Sequence, residues 1–285
     1  MLIKNIVFSG GGFKCWAYIG CLRALEEYQV NVEQIIGVSA GSVFGLFYML
    51  KIKWDFLLDY YMDLNFKEFF DIDIDNILVQ QSILAGIKFT ENIKEIISYR
   101  IDPDITFKEL YLYSKIKFTV NALNITDSVL EYFNYILTPN IKVIDAVRAS
   151  CSLPIILPPY RIGNSFYYDG GICNNCPIEL VDEVDSIAFD VAIFSKNKSA
   201  RSEANFDNSV KLLDLVNSLI SISNKSNKNK KASGNFNIYS ILDDEFKNET
   251  VNLNQSKDDI FNIYMNGYNN SKNIIFKNHI ALPAP

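Results

Sequence analysis

Twice in its first fifty residues the chain repeats one local pattern: a short apolar run, a turn of glycine and small residues, then apolar residues at helical spacing. Ile3 to Phe8 is the first run, Ser9-Gly10-Gly11-Gly12 its turn, and the spacing predicts a helix from Trp16 to Tyr28. Gln34 to Val38 is the second run, Ser39-Ala40-Gly41 its turn, and Ser42 to Lys51 its helix. Two such units in succession predict an α/β fold with a parallel sheet, because parallel neighbours need a crossover and a helix is the usual one. Val43 to Leu50 is apolar on nearly every side, the pattern of a helix buried in a core.

Further along, Trp54 to about Thr106 reads as aromatic-rich helices interrupted by the acidic run Asp71 to Asp75, taken as a solvated loop or helix start. Lys117 to Ala122 and Val129 to Phe133 predict a hairpin, Ile141 to Ala149 a short helix, and Phe166-Tyr167-Tyr168 and Ser186 to Ala192 two more strands. Residues 195–208 and 222–237, rich in Asn, Ser and Lys, read as surface loops around an amphipathic helix from Val210 to Ile222. Asp258 to Tyr268 predicts a last helix. The expected organisation is a core over residues 1–190 with an extension, 191–285, packed on the same domain.

Composition narrows function by exclusion. The 285 residues carry a formal charge of −6, which gives no support to broad electrostatic binding of nucleic acid. No apolar run approaches the roughly 20 residues of a spanning helix. Five cysteines are too few for a disulfide framework in a chain this long, so a reducing compartment is expected. The first residues enter glycines without the h-region and cleavage site of a Sec signal, which predicts a cytoplasmic location or a peripheral one at membranes. A single histidine, His279, rules out a metal site of several imidazoles and leaves one candidate for any Ser-His-Asp triad. Cys173 and Cys176 form C-x-x-C, but no second pair or nearby histidine completes a tetrahedral site, so they read as packing cysteines. No metal and no cofactor is expected.

Three turns carry chemistry. Gly37-Val38-Ser39-Ala40-Gly41 fits G-x-S-x-G between a strand and a helix, where the small flanking residues let the chain turn sharply and project Ser39 Oγ from the sheet edge. Gly10-Gly11-Gly12-Phe13-Lys14-Cys15 lacks the third glycine of a dinucleotide fingerprint, and the next strand ends without its acid; bare backbone N–H groups there suit an oxyanion instead. Asp169-Gly170-Gly171 places a carboxylate at a third strand end, in the crevice where open α/β sheets bind ligands, or else forms an Asx turn.

These blocks, with Gly20 in the first helix, Arg148-Ala149-Ser150-Cys151-Ser152-Leu153-Pro154 and the run from Asp169 to Pro177, resemble the successive motifs of the patatin-like phospholipases over about residues 1–190. The resemblance implies a three-layer α/β fold whose central, mostly parallel sheet is flanked by helices. It also implies a lipid acyl hydrolase of phospholipase A or lysophospholipase type, with Ser39 as nucleophile, Asp169 as base and the Gly10, Gly11 and Gly12 backbone as oxyanion hole, supported by Lys14, Gly37, Gly41, Gly170 and Gly171. Cys15 stands where the family usually has glycine, and Lys14 where Arg is common. Lys14 has two readings, a surface cation at a helix start or a residue that fixes the loop or draws a phosphate headgroup. The expected partners are a phospholipid or other acyl-lipid substrate and a membrane surface met peripherally, with Lys225, Lys228, Lys230 and Lys231 as candidate contacts; an activating protein is left open. Residues between Trp54 and Phe89 are candidates for an acyl-chain wall, with core packing as their other use. The competing functions are a Ser-His-Asp esterase using His279 and an inactive lipid-binding protein that keeps the fold.

Overall fold

The computed structural model describes residues 3–64, 71, 82–182, 185–191, 238–243 and 256–279, the side chain of His279 excepted. Its strands are β1 (Asn5–Phe8), β2 (Gln34–Gly37), β3 (Lys117–Asn124), β4 (Val129–Phe133), β5 (Tyr160–Ile162), β6 (Ser165–Asp169), β7 (Ser186–Asp190) and β8 (Ile238–Ser240). They form one sheet in the order β5-β6-β3-β2-β1-β7-β8, with β4 also paired to β3. The run β3-β2-β1-β7-β8 is parallel throughout, and β4, β5 and β6 join it antiparallel. The helices are α1 (Trp16–Glu27), α2 (Ala40–Met49), α3 (Trp54–Asp63), α4 (Ile87–Ser98), α5 (Phe107–Ser114), α6 (Val143–Ser150), α7 (Gly171–Asn174) and α8 (Lys257–His279).

Strand residues are apolar in both directions because both sheet faces are covered, and the two-residue period sorts them. Ile6, Phe8, Ile35, Ile187 and Phe189 enter the large core beside Tyr18, Phe44, Phe47 and Tyr264. Their neighbours Val7, Ile36 and Ala188 enter a smaller one with Cys176 and Ile178 on the opposite face. Trp54 stacks on Tyr264 at 6.1 Å, and Leu57 and Tyr61 are buried, so this part of the aromatic segment serves the core.

Three expectations change in detail. Helix α2 begins at Ala40, two residues before the expected Ser42, because its helical turn starts directly after Ser39. Helix α8 extends to His279, well past the expected end at Tyr268: buried Ile274 and Ile275 continue the apolar face begun by Ile260, Ile263 and Tyr264. Asp71 is a helix cap, its carboxylate accepting from the N–H groups of Gly86, Ile87 and Lys88 at the start of α4. The rest of the acidic run, the amphipathic segment from Val210 to Ile222 and the four lysines from Lys225 to Lys231 lie outside the described residues. Among the described residues no helix is long and apolar enough to cross a membrane.

Candidate active site

The sheet register explains how two residues 130 positions apart in sequence come to share a site. Val120 of β3 pairs with Gly37 of β2 and with Phe133 of β4, while Ala122 pairs with Glu131 of β4 and with Asp169 of β6. Since β4 occupies one side of β3 along this whole stretch, β2 and β6 must both lie on the other. Strand β2 runs parallel to β3 and β6 antiparallel, so their C-terminal ends meet head to head, about two strand residues or ~7 Å apart along β3. Ser39 leaves one end and Asp169 closes the other, near enough that the Ser39 side chain pulls the Asp169 carboxyl down against its desolvation.

Ser39 has φ 51° and ψ −131°, a backbone conformation that costs a non-glycine residue about 1–3 kcal/mol and survives only where its surroundings enforce it. Those surroundings are visible. The Ser39 N–H donates to Ser150 Oγ at 2.8 Å, and its carbonyl accepts from the Ser42 N–H at 2.8 Å and from Ser42 Oγ at 2.6 Å. Gly41 is required because a Cβ there would stand 2.4 Å from the Ser9 carbonyl oxygen and 2.5 Å from that of Phe8. Helix α2 thereby starts hard against the end of β1, with Ser39 at its lip.

Asp169 is 3% exposed. Its carboxylate accepts from the Gly171 N–H at 2.7 Å, and its own N–H donates to the Ser152 carbonyl at 2.9 Å. Desolvation dominates, and it pushes the carboxyl up to about 7 against the opposing pull of the Ser39 side chain and the Gly171 N–H. A carboxyl with that value is a usable general base at neutral pH, where an exposed aspartate would be too weak.

The glycine loop lies on the other side of Ser39. A Cβ on Gly10 would come within 2.9 Å of Ser39 Cβ and 2.5 Å of Asn175 Oδ1, so only glycine permits this approach. Gly12 has φ 55° and opens the 3-10 turn Gly12–Cys15 that leads into α1. Asn175 Nδ2 donates to the Gly10 carbonyl at 2.9 Å, which ties the loop to the segment that follows Asp169. Beneath it, Ser9 Oγ donates to the buried Asp190 at 2.8 Å, and Tyr18 Oη donates to the Ser9 carbonyl at 2.7 Å.

Lys14 is 1% exposed, which overturns its reading as a surface cation at a helix start. The aliphatic stem and ammonium are enclosed rather than offered to solvent. Cys15 is also buried, and desolvation raises its thiol well above the ordinary range, so it sits as a small apolar filler where the family usually has glycine. Cys176 packs in the smaller core and Cys173 is half-buried; among the described residues no group of three or more His, Cys, Asp or Glu side chains could hold a metal ion. Three contributors had no role assigned from sequence: Ser150, Ser152 and Asn175. The available signal was polar residues in otherwise buried motif blocks, at the end of an apolar helix and after a double glycine.

A family model for patatin-like phospholipase matches residues 6–182. A probable lipid hydrolase, 463L, of Invertebrate iridescent virus 6 is 29% identical over 191 residues, covering 62% of this chain and 62% of the relative. The lysophospholipase NTE1 of Eremothecium gossypii is 28% identical over 180 residues, covering 61% of this chain and 11% of that much longer protein. The chain therefore spans less than two thirds of the length of the curated relatives it matches. Among solved structures, VipD from Legionella pneumophila aligns with a TM-score of 0.54 at 16% identity, over 97% of this chain and 67% of that one. The type III effector protein ExoU aligns with a TM-score of 0.53 at 13% identity, over 97% and 53% respectively. At such identities these structures speak for the shared fold.

Proposed function

Because the chain belongs to the patatin-like phospholipase family, we propose that it is a serine acyl hydrolase of phospholipase A or lysophospholipase type that cleaves fatty-acyl esters through Ser39 and Asp169. The observation that carries this reading is the β3 register that brings a strained, partly buried serine at the end of β2 to a buried carboxyl at the end of β6, which desolvation pushes up to about 7. The names carried by relatives, a probable lipid hydrolase and a lysophospholipase, agree with it.

In the first half-reaction Ser39 Oγ attacks the ester carbonyl while its proton passes to Asp169. The carbonyl oxygen, now an anion, is held by N–H groups of the Gly10–Gly12 loop, each such donor being worth about 2.7–4 kcal/mol in the transition state. Collapse breaks the ester C–O bond, and Asp169 returns the proton to the departing alcohol or lysolipid. In the second half-reaction Asp169 takes a proton from water, the hydroxide attacks the acyl-enzyme, and the fatty acid leaves as Ser39 recovers its proton. The apolar cluster of Leu84, Ile156 and Leu157, with Phe13, Phe89 and Leu153 against it, borders the glycine loop and offers a wall for the acyl chain. The catalytic core is residues 1–190, with 191–285 as an extension, and the substrate is met at a membrane surface without insertion.

The test is release of fatty acid from phospholipid vesicles by the wild type and by Ser39→Ala. Release by the wild type that falls to background in the variant supports the proposal; equal release from both removes it.

A further inference from the structure

The turn that ends α6 touches both members of the dyad. Ser150 Oγ accepts the Ser39 N–H at 2.8 Å, and two residues on the Ser152 carbonyl accepts the Asp169 N–H at 2.9 Å. Neither contact involves a reacting atom. Each fixes the backbone from which a reacting side chain projects, and Ser150 and Ser152 are themselves fully buried. The turn is held from behind: Arg148, 2% exposed, donates from Nη1 to Ser152 Oγ at 2.7 Å, and Ser152 Oγ donates to the Arg148 carbonyl at 3.0 Å. The Arg148 guanidinium is itself wedged, 5.4 Å over the Tyr160 ring and so close to Gly86 that a Cβ there would meet Nη2 at 2.3 Å.

We infer that the Ser150–Ser152 turn, braced by Arg148, is a clamp that sets the distance and direction between Ser39 and Asp169, with Ser150 as the positioning residue for the nucleophile. The physical need is specific. Strand β2 and strand β6 share no ladder with each other, only a common neighbour in β3. The ladders fix Gly37 and Asp169 against β3, but Ser39 stands two residues beyond the last ladder pair of β2, where the sheet does not hold it. A backbone at φ 51° has in addition no intrinsic preference for staying there. A single rigid turn that bonds both ends supplies the missing constraint. Ser42, which holds the Ser39 carbonyl, lies within the same helix and cannot relate Ser39 to Asp169.

This inference rests on the proposed dyad, and the two fail differently. The experiment compares wild type, Ser39→Ala, Ser150→Ala and the near-isosteric Ser150→Cys, whose thiol is a poor acceptor. The readouts are kcat, KM and their pH dependence on phospholipid vesicles, thermal melting, and the rate at which a fluorophosphonate labels Ser39. For whichever Ser150 variant folds, the expected result is a loss of about 10- to 100-fold in kcat and in labelling rate with KM within about twofold, the scale of a small misplacement of a reacting group. The acidic limb of the pH profile should also move to higher pH, because a misdirected Ser39 no longer pulls the Asp169 carboxyl down. Wild-type kcat and labelling in a folded Ser150 variant overturn the clamp, as does a kcat loss that leaves the limb in place, or an effect confined to KM. Equal activity of wild type and Ser39→Ala overturns the dyad itself.

Discussion

Asp169 holds a conflict between stability and chemistry in one side chain. Its carboxyl is raised from 3.8 to about 7 chiefly by desolvation, so between those pH values the folded protein binds a proton that the unfolded chain releases. Folding stability therefore falls as pH rises from about 4 to 7, and above 7 the folded state carries a buried charge at a cost on the order of a few kcal/mol. Under the proposed mechanism activity runs the opposite way, since Asp169 must be ionised to accept the Ser39 proton. The expected kcat/KM profile climbs through about pH 7, and an initial-rate series from pH 5 to 9 on vesicles checks it. Asp169→Asn should abolish turnover while melting higher than the wild type at pH 8, and the difference should vanish near pH 4. A variant that melts lower at pH 8 would mean that the carboxylate stabilises the fold rather than straining it. At this scale Ser39 and Asp169 were legible in sequence, because each sits in a short glycine-flanked motif whose residues are local neighbours. Ser150 and Asn175 were not, because their partners, Ser39 and Gly10, lie 111 and 165 residues away and are reached only through strand register.

The paired helices α1 and α8 show what local pattern does and does not reveal about an element. The first strand-turn-helix units were readable because their apolar residues are dense and their turns are punctuated by glycine. Helix α8 was read too short, since its apolar residues are diluted by Asn, Lys and Ser and become a face only when set against α1. That contact is close: a Cβ on Gly20 would lie 2.2 Å from the Tyr264 carbonyl oxygen, and one on Gly267 2.3 Å from that of Ala17. These obstacles are backbone atoms, which cannot rotate aside. Gly267→Val should accordingly force the helices apart and destabilise by about 1–3 kcal/mol, the usual cost of overpacking a tight interface. Thermal denaturation at fixed pH measures it. An unchanged melting temperature would show that α8 is not held against α1 in solution. Arg23 closes the same interface at its rim, over the rings of Trp54 and Tyr268, so loss of packing there should be felt at both helices.

Across the whole molecule, the order of strands argues for the proposed dyad over a triad built on the lone histidine. Asn278, immediately before His279, donates to the Ile274 carbonyl within α8 and to Tyr239 Oη on β8. Strand β8 is separated from β2, the strand that delivers Ser39, by β7 and β1. Three inter-strand steps amount to about 14 Å, several times the heavy-atom reach of a proton transfer, about 2.6–3.2 Å. The end of α8 is thus anchored at the far edge of the sheet from the place where the ends of β2 and β6 bring Ser39 and Asp169 together. A triad would require α8 to leave both β8 and α1. His279→Ala is expected to keep kcat/KM within about twofold of the wild type and to leave the acidic limb near pH 7 where Asp169 puts it. Loss of a true triad histidine would instead cost several orders of magnitude and remove the titration it governs. Rates and pH profiles of the two proteins on the same vesicles separate these outcomes. A collapse of activity in the variant would require a rearranged C-terminal helix and a different base.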